Sequence, residues 1–275
     1  MDPVTINTIR QAVRELGLAH QAVCLHASFR SFGAVEGGPE TLVQGFLQEG
    51  CTVLVPTFTD EFLIPPPPNL RPERNGWNYA VNYGHREGLK RTYTPASKSI
   101  NAEEMGAVPK WVVEQPGRIR GNHPICSFAA LGPRAEALAG GQSPADVFAP
   151  LKVLSQMNGR VVLIGVGLDS MTLLHLAEEN AGRSMFLRWA NGPDGKPATA
   201  RCGGCSNGFR RFEGLLAPFV RSTTVGRSTW KTYPAPAILR TAAEAIKQDP
   251  AITVCGNPAC ERCPDAVLGG PIWKD

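Results

Sequence analysis

The sequence lacks any apolar run long enough to span a membrane, and no positively charged segment followed by an apolar one opens the chain. We therefore expect a soluble cytoplasmic protein with no membrane partner. Charge is also scarce, since 19% of the residues are charged and the formal net charge of +4 is not concentrated in a long basic run. Nucleic-acid-binding proteins carry a larger and more clustered positive excess, so nucleic acid is not an expected partner.

Domain boundaries and internal repeats are missing as well. The 275 residues, 43% of them hydrophobic, are enough to bury one large core without disulfide or metal support. We predict a single domain spanning residues 1–275, with a cysteine-rich segment at about residues 200–265.

Short apolar runs alternate with segments of helical periodicity along the chain. AVCLHAS, CTVLVPTFT, HPICSFAALG and VVLIGVG are typical of buried strands, and amphipathic segments lie between them. This order predicts an α/β fold, a three-layer sandwich with a largely parallel or mixed central sheet and helices on both faces. Residues 61–95 contain four consecutive prolines and few periodic apolar positions, which predicts a long surface loop or lid.

The helix predicted after VVLIGVG carries the strongest candidate for chemistry. His175 and either Glu178 or Glu179 lie three or four residues apart, so they share one face of that helix. A histidine oriented by a carboxylate is a competent general base, although a buried histidine with solvent-facing carboxylates fits the same spacing. Asp169 or Ser170, between strand and helix, is predicted to cap the helix.

Two further histidines adjoin predicted strands. His26 and His123 are candidates to line the same edge of the sheet. The loop HASFRSFG is typical either of a phosphate- or pantetheine-binding turn or of an ordinary helix cap. GVGLDS lacks the last glycine of a dinucleotide-binding loop and the acidic residue expected about 20 residues later, so a nicotinamide or flavin dinucleotide is not expected.

Five of the eight cysteines fall in the last third of the chain. Cys24, Cys51 and Cys126 lie in apolar stretches and are predicted to be small buried hydrophobic residues. The spacing of the others predicts a zinc site with thiolate ligands from Cys255, Cys260, Cys263 and either Cys205 or Cys202, with Cys205 preferred. Free thiols on a surface tail are the alternative.

Four segments occur in an order that resembles the aminoglycoside 3-N-acetyltransferase family, a fold distinct from the GNAT acetyltransferases. They are HASFRSFGAVEGG, VPTFT, INAEEMGAVPKWVVEQPGRIRGNHPICSFAALG and GRVVLIGVGLDSMTLLHLAEE. The resemblance runs from about residue 7 to residue 215. Its most specific parts are the motifs HP-x-x-S and G-V-G-x-D-x-x-T-x-x-H-x-A-E.

The resemblance implies acetyl-CoA as donor and an amine of an aminoglycoside or related amino compound as acceptor. Because no cysteine or serine lies in a nucleophile-elbow context, we expect direct transfer and not an acyl-enzyme, by a monomer or homodimer. His175 would be the general base and Glu178 would orient its ring, with Thr172 and Asp169 shaping the acceptor site. The implied cofactor-binding residues are Ser28, Phe29, Arg30, Ser31, Phe32, Gly33, Met105, Gly106, Ala107, Val108, Arg118 and Ser127. The implied substrate-binding residues are Thr57, His123 and Glu179.

Two other functions stay open at this point. One is a non-catalytic CoA-binding protein with a zinc-stabilised tail. The other is a hydrolase using His175 and Asp169, which is disfavoured because no serine or cysteine lies in a nucleophile-elbow context.

Overall fold

The structure, a computed structural model, describes residues 2–80 and 91–273. Its helices are α1 Ile6–Glu15, α2 Pro39–Gln48, α3 Ala102–Met105, α4 Ala107–Glu114, α5 Ala135–Ala139, α6 Ala149–Gln156, α7 Leu173–Asn180, α8 Glu213–Leu216, α9 Ala235–Gln248 and α10 Arg262–Val267. Its strands are β1 Ala22–Ala27, β2 Thr52–Pro56, β3 Leu63–Ile64, β4 Ile119–Arg120, β5 Phe128–Leu131, β6 Arg160–Ile164, β7 Phe186–Asn191, β8 Pro197–Cys202, β9 Arg221–Val225 and β10 Ser228–Pro234. Within these ranges no helix has the length and apolar character needed to cross a membrane.

Seven strands form the central sheet in the order β4-β5-β2-β1-β6-β10-β9. β1 pairs in parallel with β2 and with β6, and the outer pairs are antiparallel. The sheet is therefore mixed, as the alternation of strands and helices predicted. A second antiparallel sheet, with the order β3-β7-β8, was not predicted and lies beside the candidate site.

Side chains alternate between the two faces of the central sheet, because successive residues of a strand point in opposite directions. On β1, Cys24 packs in the cluster formed with α5, α6, α7 and α9. Its neighbours Val23 and Leu25 pack in the opposite cluster, formed with α1, α2 and α4. Both faces are thus covered by helices, which confirms the predicted three-layer sandwich.

The helical segment over residues 102–114 is divided at Gly106 into α3 and α4. Gly106 has φ of 86°, a left-handed conformation that favours glycine, and it separates α3 from α4. Pro109 lies in the first turn of α4, where a backbone N–H has no partner within the helix, so its ring is tolerated. The division places the N-terminus of α4 against the sheet edge that carries the site.

Candidate active site

A cavity of about 550 Å³ lies at the carboxyl ends of the parallel strands. His26 and Ala27 close β1, Pro56 closes β2, and Val166 follows β6; all four line the cavity. Ligands of open α/β sheets bind at this position, beyond the carboxyl ends of the strands. His26 reaches this edge as predicted, and burial lowers its pKa to about 4, so its ring is neutral at physiological pH.

His175 lines the cavity from the first half of α7 and forms a pair with Glu178. Its Nδ1 lies 2.6 Å from Glu178 Oε2, and both side chains are buried. A carboxylate accepts hydrogen bonds only, so Nδ1 carries the hydrogen of this contact. In the neutral ring the proton-accepting nitrogen is then Nε2. The predicted pairing is therefore present, with Glu178 as the partner.

Arg183 is a third member of this group, and the sequence analysis did not predict it. Its Nη1 lies 2.5 Å from Glu178 Oε1 and 2.8 Å from Thr253 Oγ1, in a buried environment. Each oxygen of Glu178 thus has its own donor, and the buried negative charge is balanced. Glu179 does not pair with His175; its Oε2 forms a salt bridge with Lys152 Nζ at 3.1 Å. Arg183 follows the helix end, outside the helical spacing that singled out the other residues.

Three separate segments fix the plane of the His175 ring. Phe209 packs edge-on at a centroid distance of 4.7 Å, and Phe148 lies parallel to the ring at 6.2 Å. Gly203 covers part of the ring so closely that a Cβ there would lie 2.8 Å from Cδ2. Only glycine permits this approach, because real Cβ contacts are essentially never that short.

Thr172 and Asp169 both line the cavity. The prediction that Asp169 or Ser170 caps α7 is wrong, because Thr172 takes the cap position and makes no side-chain hydrogen bond there. The Asp169 carboxylate instead accepts hydrogen bonds from Arg210, at 2.7 Å from Nη2 and 3.1 Å from Nε. The Asp169 carboxylate thus binds the guanidinium of Arg210 and not the backbone N–H groups at the start of α7.

The segment Ser28–Gly33 continues from the cavity wall at Ala27 into a single 3₁₀ turn. Phe32 is buried in the core. Ser31 Oγ donates to the carbonyl of Ser28 and lies 2.7 Å from Ser228 Oγ. These hydrogen bonds within the protein fix the turn. A ligand would therefore contact the backbone of the turn and the exposed side chain of Arg30.

Met105 and Pro109 line the cavity and bring the N-terminus of α4 to its edge. The predicted segment Met105–Val108 crosses this point, although the side chain of Val108 belongs to the core. A helix N-terminus carries a partial positive charge and unpaired N–H groups, which favour an anionic ligand such as a phosphate.

Three predicted ligand residues lie behind the cavity wall, in a polar network. Ser127 and Thr57 are buried and their hydroxyls are 3.0 Å apart. The buried Arg120 donates to Ser127 Oγ and to the carbonyl of Thr57. Arg118 donates through Nη2 to the carbonyls of residues 96–97. The hydroxyls of Thr57 and Ser127 are thus engaged within the protein, and neither residue is part of the cavity lining.

His123 is fully buried and joins two backbone segments. Its Nδ1 accepts hydrogen bonds from the N–H groups of Ile125 and Cys126, so Nε2 carries the hydrogen and donates to the carbonyl of Arg201 at 2.9 Å. Burial lowers the pKa of His123 to about 4, partly opposed by the bond to Arg201. His123 lies behind the cavity lining, in a structural position.

This arrangement predicts a pH dependence of stability. The ordinary pKa of 6.5 applies to the unfolded chain and about 4 to the folded one, so the unfolded state binds more protons between these values. Stability is then lost as the pH falls below about 6.5. His123→Asn keeps an acceptor for the N–H groups but removes the titrating ring. Between about pH 7 and about pH 5, we expect the free energy of unfolding of this variant, measured with urea, to fall by about 2 kcal/mol less than that of the wild type. Equal losses in both proteins would contradict this.

The described part of the predicted loop over residues 61–95 contributes to the cavity wall. Leu63, in β3, and Trp77 line the cavity opposite the sheet edge. Residues 81–90 lie outside the described residues. Leu63 and Trp77 are thus the described residues of this loop that line the site.

The four cysteines predicted to bind zinc come together near the cavity. The Sγ atoms of Cys205, Cys255, Cys260 and Cys263 all lie within 4.8 Å of one another. Four thiolates at 2.3 Å from a tetrahedral zinc ion are about 3.8 Å apart, so the cluster fits this ion. The structure groups Cys205, and not Cys202, with the other three.

Comparisons with known proteins agree with this architecture. A model of the family described as aminoglycoside 3-N-acetyltransferase matches residues 24–247. Aminoglycoside N(3)-acetyltransferase VII of Streptomyces paromomycinus is 32% identical over 192 residues, covering 64% of this chain and 60% of that protein. Aminoglycoside N(3)-acetyltransferase IX of Micromonospora chalcea is 33% identical over 186 residues, covering 64% and 62%. The chain thus matches about three fifths of the length of these relatives.

Solved structures show the same fold over more of the chain. The apoenzyme of aminoglycoside acetyltransferase AAC(3)-IVa superposes with a TM-score of 0.75 at 24% identity, covering 98% of both chains. Aminoglycoside acetyltransferase AAC(3)-Xa superposes with a TM-score of 0.71 at 26% identity, covering 90% of this chain and 93% of that one. Because the family model spans most of its residues, this chain belongs to the aminoglycoside 3-N-acetyltransferase family.

Proposed function

We propose that this protein transfers the acetyl group of acetyl-CoA directly to an amine of an aminoglycoside or related amino compound, with His175 as general base. The observation that carries the proposal is the His175–Glu178 pair, 2.6 Å apart, at a cavity on the carboxyl edge of the sheet. Membership of the family supports the reaction type.

His175 has the geometry that proton removal requires. An amine attacks a thioester only when its nitrogen holds a free electron pair, so a base has to take a proton from it. Nε2 accepts this proton as the N–C bond forms and the C–S bond breaks, and the imidazolium then returns it to the departing thiolate. Glu178 stabilises the imidazolium, and Arg183 holds the carboxylate in position.

Carboxylates on the cavity wall offer contacts for the amino groups of an acceptor. Asp60, Glu104 and Asp169 line the cavity, together with the guanidinium groups of Arg188 and Arg262. Carboxylates attract protonated amines. A solved structure of an AAC(3)-IVa variant in complex with a gentamicin has the same fold, with a TM-score of 0.76 at 23% identity.

The donor is assigned to two segments that meet near the end of β1. The backbone of Ser28–Gly33 and the N-terminus of α4 at Met105–Val108 would meet the pantetheine amides and the phosphates, respectively. Arg118 lies behind the cavity wall and is therefore not assigned a contact with the donor.

We also propose that Cys205, Cys255, Cys260 and Cys263 bind one structural zinc ion. The mutual distances of their sulfur atoms support this. Cys205 is separated by only Gly204 from Gly203, whose backbone covers the His175 ring, so the ion would also hold that backbone in place.

An acceptor screen separates catalysis from mere CoA binding. We expect thiol release from acetyl-CoA in the presence of at least one aminoglycoside, and not with acetyl-CoA alone. Tight acetyl-CoA binding without turnover across aminoglycosides and smaller amines would instead support the non-catalytic CoA-binding protein. Thiol release without acceptor would support a hydrolase.

A further inference from the structure

Cys126 and Cys202 lie in contact on the wall of the cavity. Their Sγ atoms are 3.4 Å apart, and both residues line the cavity. The sequence predicted Cys126 to be a buried apolar residue, but its side chain is only partly buried. Neither thiol has a part in the proposed acetyl transfer or in the zinc cluster, so the pair needs its own explanation.

The backbone holds the two thiols together. His123 accepts a hydrogen bond from the N–H of Cys126 and donates one to the carbonyl of Arg201, which directly precedes Cys202. The carbonyl of Cys126 accepts a further bond from Gln142. The contact between the sulfur atoms is therefore fixed by the frame of the protein, not by a chance side-chain orientation.

The electrostatic surroundings make the two thiols unequal. The hydrogen bond donated by the Cys126 thiol lowers the pKa of Cys202, and the positive charges of Arg188 and Arg262 lower it further against the effect of burial. The same hydrogen bond, together with burial, raises the pKa of Cys126. Cys202 is thus the thiol that ionises first, and the thiolate is the nucleophilic form.

We propose that Cys126 and Cys202 are an oxidisable dithiol, which a low-molecular-weight disulfide entering the cavity converts into a protein disulfide. The Cys202 thiolate attacks one sulfur of the small disulfide, forming a mixed disulfide and releasing one small thiolate. Cys126 then loses its proton and attacks the Cys202 sulfur, releasing the second small thiolate. The two protein thiols supply two electrons, and the small disulfide is reduced to two thiols.

Closure of this disulfide would disturb His175. The sulfur atoms have to move from 3.4 Å to about 2.0 Å apart, and we expect this movement to shift the end of β8. Cys202 directly precedes Gly203, which packs against the His175 ring with no room to spare. Since a misplacement of about 1 Å at a reacting group costs roughly 100-fold in rate, we expect turnover to fall by about 10- to 100-fold. This consequence, unlike the disulfide itself, rests on the proposed function.

The test treats the full-length protein with bis(2-hydroxyethyl) disulfide and follows three quantities. These are the peptide map, the zinc content and the rate of acetyl transfer before and after added reductant. We expect a Cys126–Cys202 link, unchanged zinc content, lower turnover and recovery on reduction. Cys126→Ala should stop at a mixed disulfide on Cys202, and Cys202→Ala should leave Cys126 unmodified.

The outcomes separate this proposal from the proposed function. A wild-type protein in which Cys126 and Cys202 remain unlinked overturns the dithiol proposal, and a link that leaves turnover unchanged overturns its expected effect on His175. Failure of the untreated protein to acetylate any acceptor overturns the proposed function, while the peptide map still decides whether the disulfide forms.

Discussion

Replacing Glu178 with glutamine is expected to lower kcat by about 10²- to 10⁴-fold, although the change removes a single charge. Arg183 Nη1 donates to Oε1, so the amide oxygen of glutamine faces Arg183 and the amide nitrogen faces His175. The amide donates to Nδ1, which moves the ring hydrogen to Nε2 and leaves no basic nitrogen toward the cavity. Acetyl-CoA binding should be unchanged, because Glu178 lies behind His175.

The control variants separate a catalytic loss from a loss of structure. His175→Asn should show a loss of similar size while leaving the Glu178–Arg183 pair intact. The variant that carries both substitutions should show no larger loss of kcat than either single variant, because the effects of residues that act as a unit are not additive. Glu244→Gln, on the exposed face of α9, is the matched control and should retain wild-type kcat. A Glu178→Gln enzyme with normal kcat would contradict the assigned pairing.

Removal of zinc is expected to destabilise the protein and to abolish most of its turnover. At a free zinc concentration about 1,000 times its Kd, the ion stabilises the folded state by about 4 kcal/mol. For a chain of this size, that corresponds to a fall in Tm of roughly 8–16 °C on removal. Turnover falls because the backbone before Cys205 covers the His175 ring.

Metal analysis and scanning calorimetry check this prediction. Protein purified without added metal should contain one zinc ion per chain, and Cys260→Ser should lose it. Cys51→Ala, which lies outside the cluster, should keep it. Absence of stoichiometric zinc from the wild-type protein, or an unchanged Tm after chelation, would contradict the zinc proposal.

The central sheet and the His175–Glu178 pair could be predicted because both depend on short-range spacing. Buried strands are continuous apolar runs, and residues three apart on a helix share a face. Arg183 could not be found in this way, since it pairs with Glu178 from beyond the helix end. Gly203 and Phe209 contact the His175 ring from segments about 30 residues away, which no local pattern records.

The wrong cap prediction has a physical cause, which is competition from a distant partner. Asp169 has the sequence position of a helix cap, but Arg210 offers it a charge-assisted pair. Cys126 packs against two apolar clusters, as its apolar run indicates, and no local pattern shows that its sulfur also meets that of Cys202 from the second sheet. That sheet itself escaped prediction, because most residues of β8 face solvent and lack an apolar pattern.

Acetyl-CoA labelled with ¹³C at the thioester carbonyl tests the central claim most directly, because its NMR signal distinguishes every fate of the acetyl group. After incubation with wild-type protein and an aminoglycoside, the label is expected in an amide of the acceptor. With His175→Asn, the label is expected to remain in the thioester over the same time. Label in free acetate, label bound to the protein, or equal amide formation by both proteins would contradict direct transfer with His175 as the base.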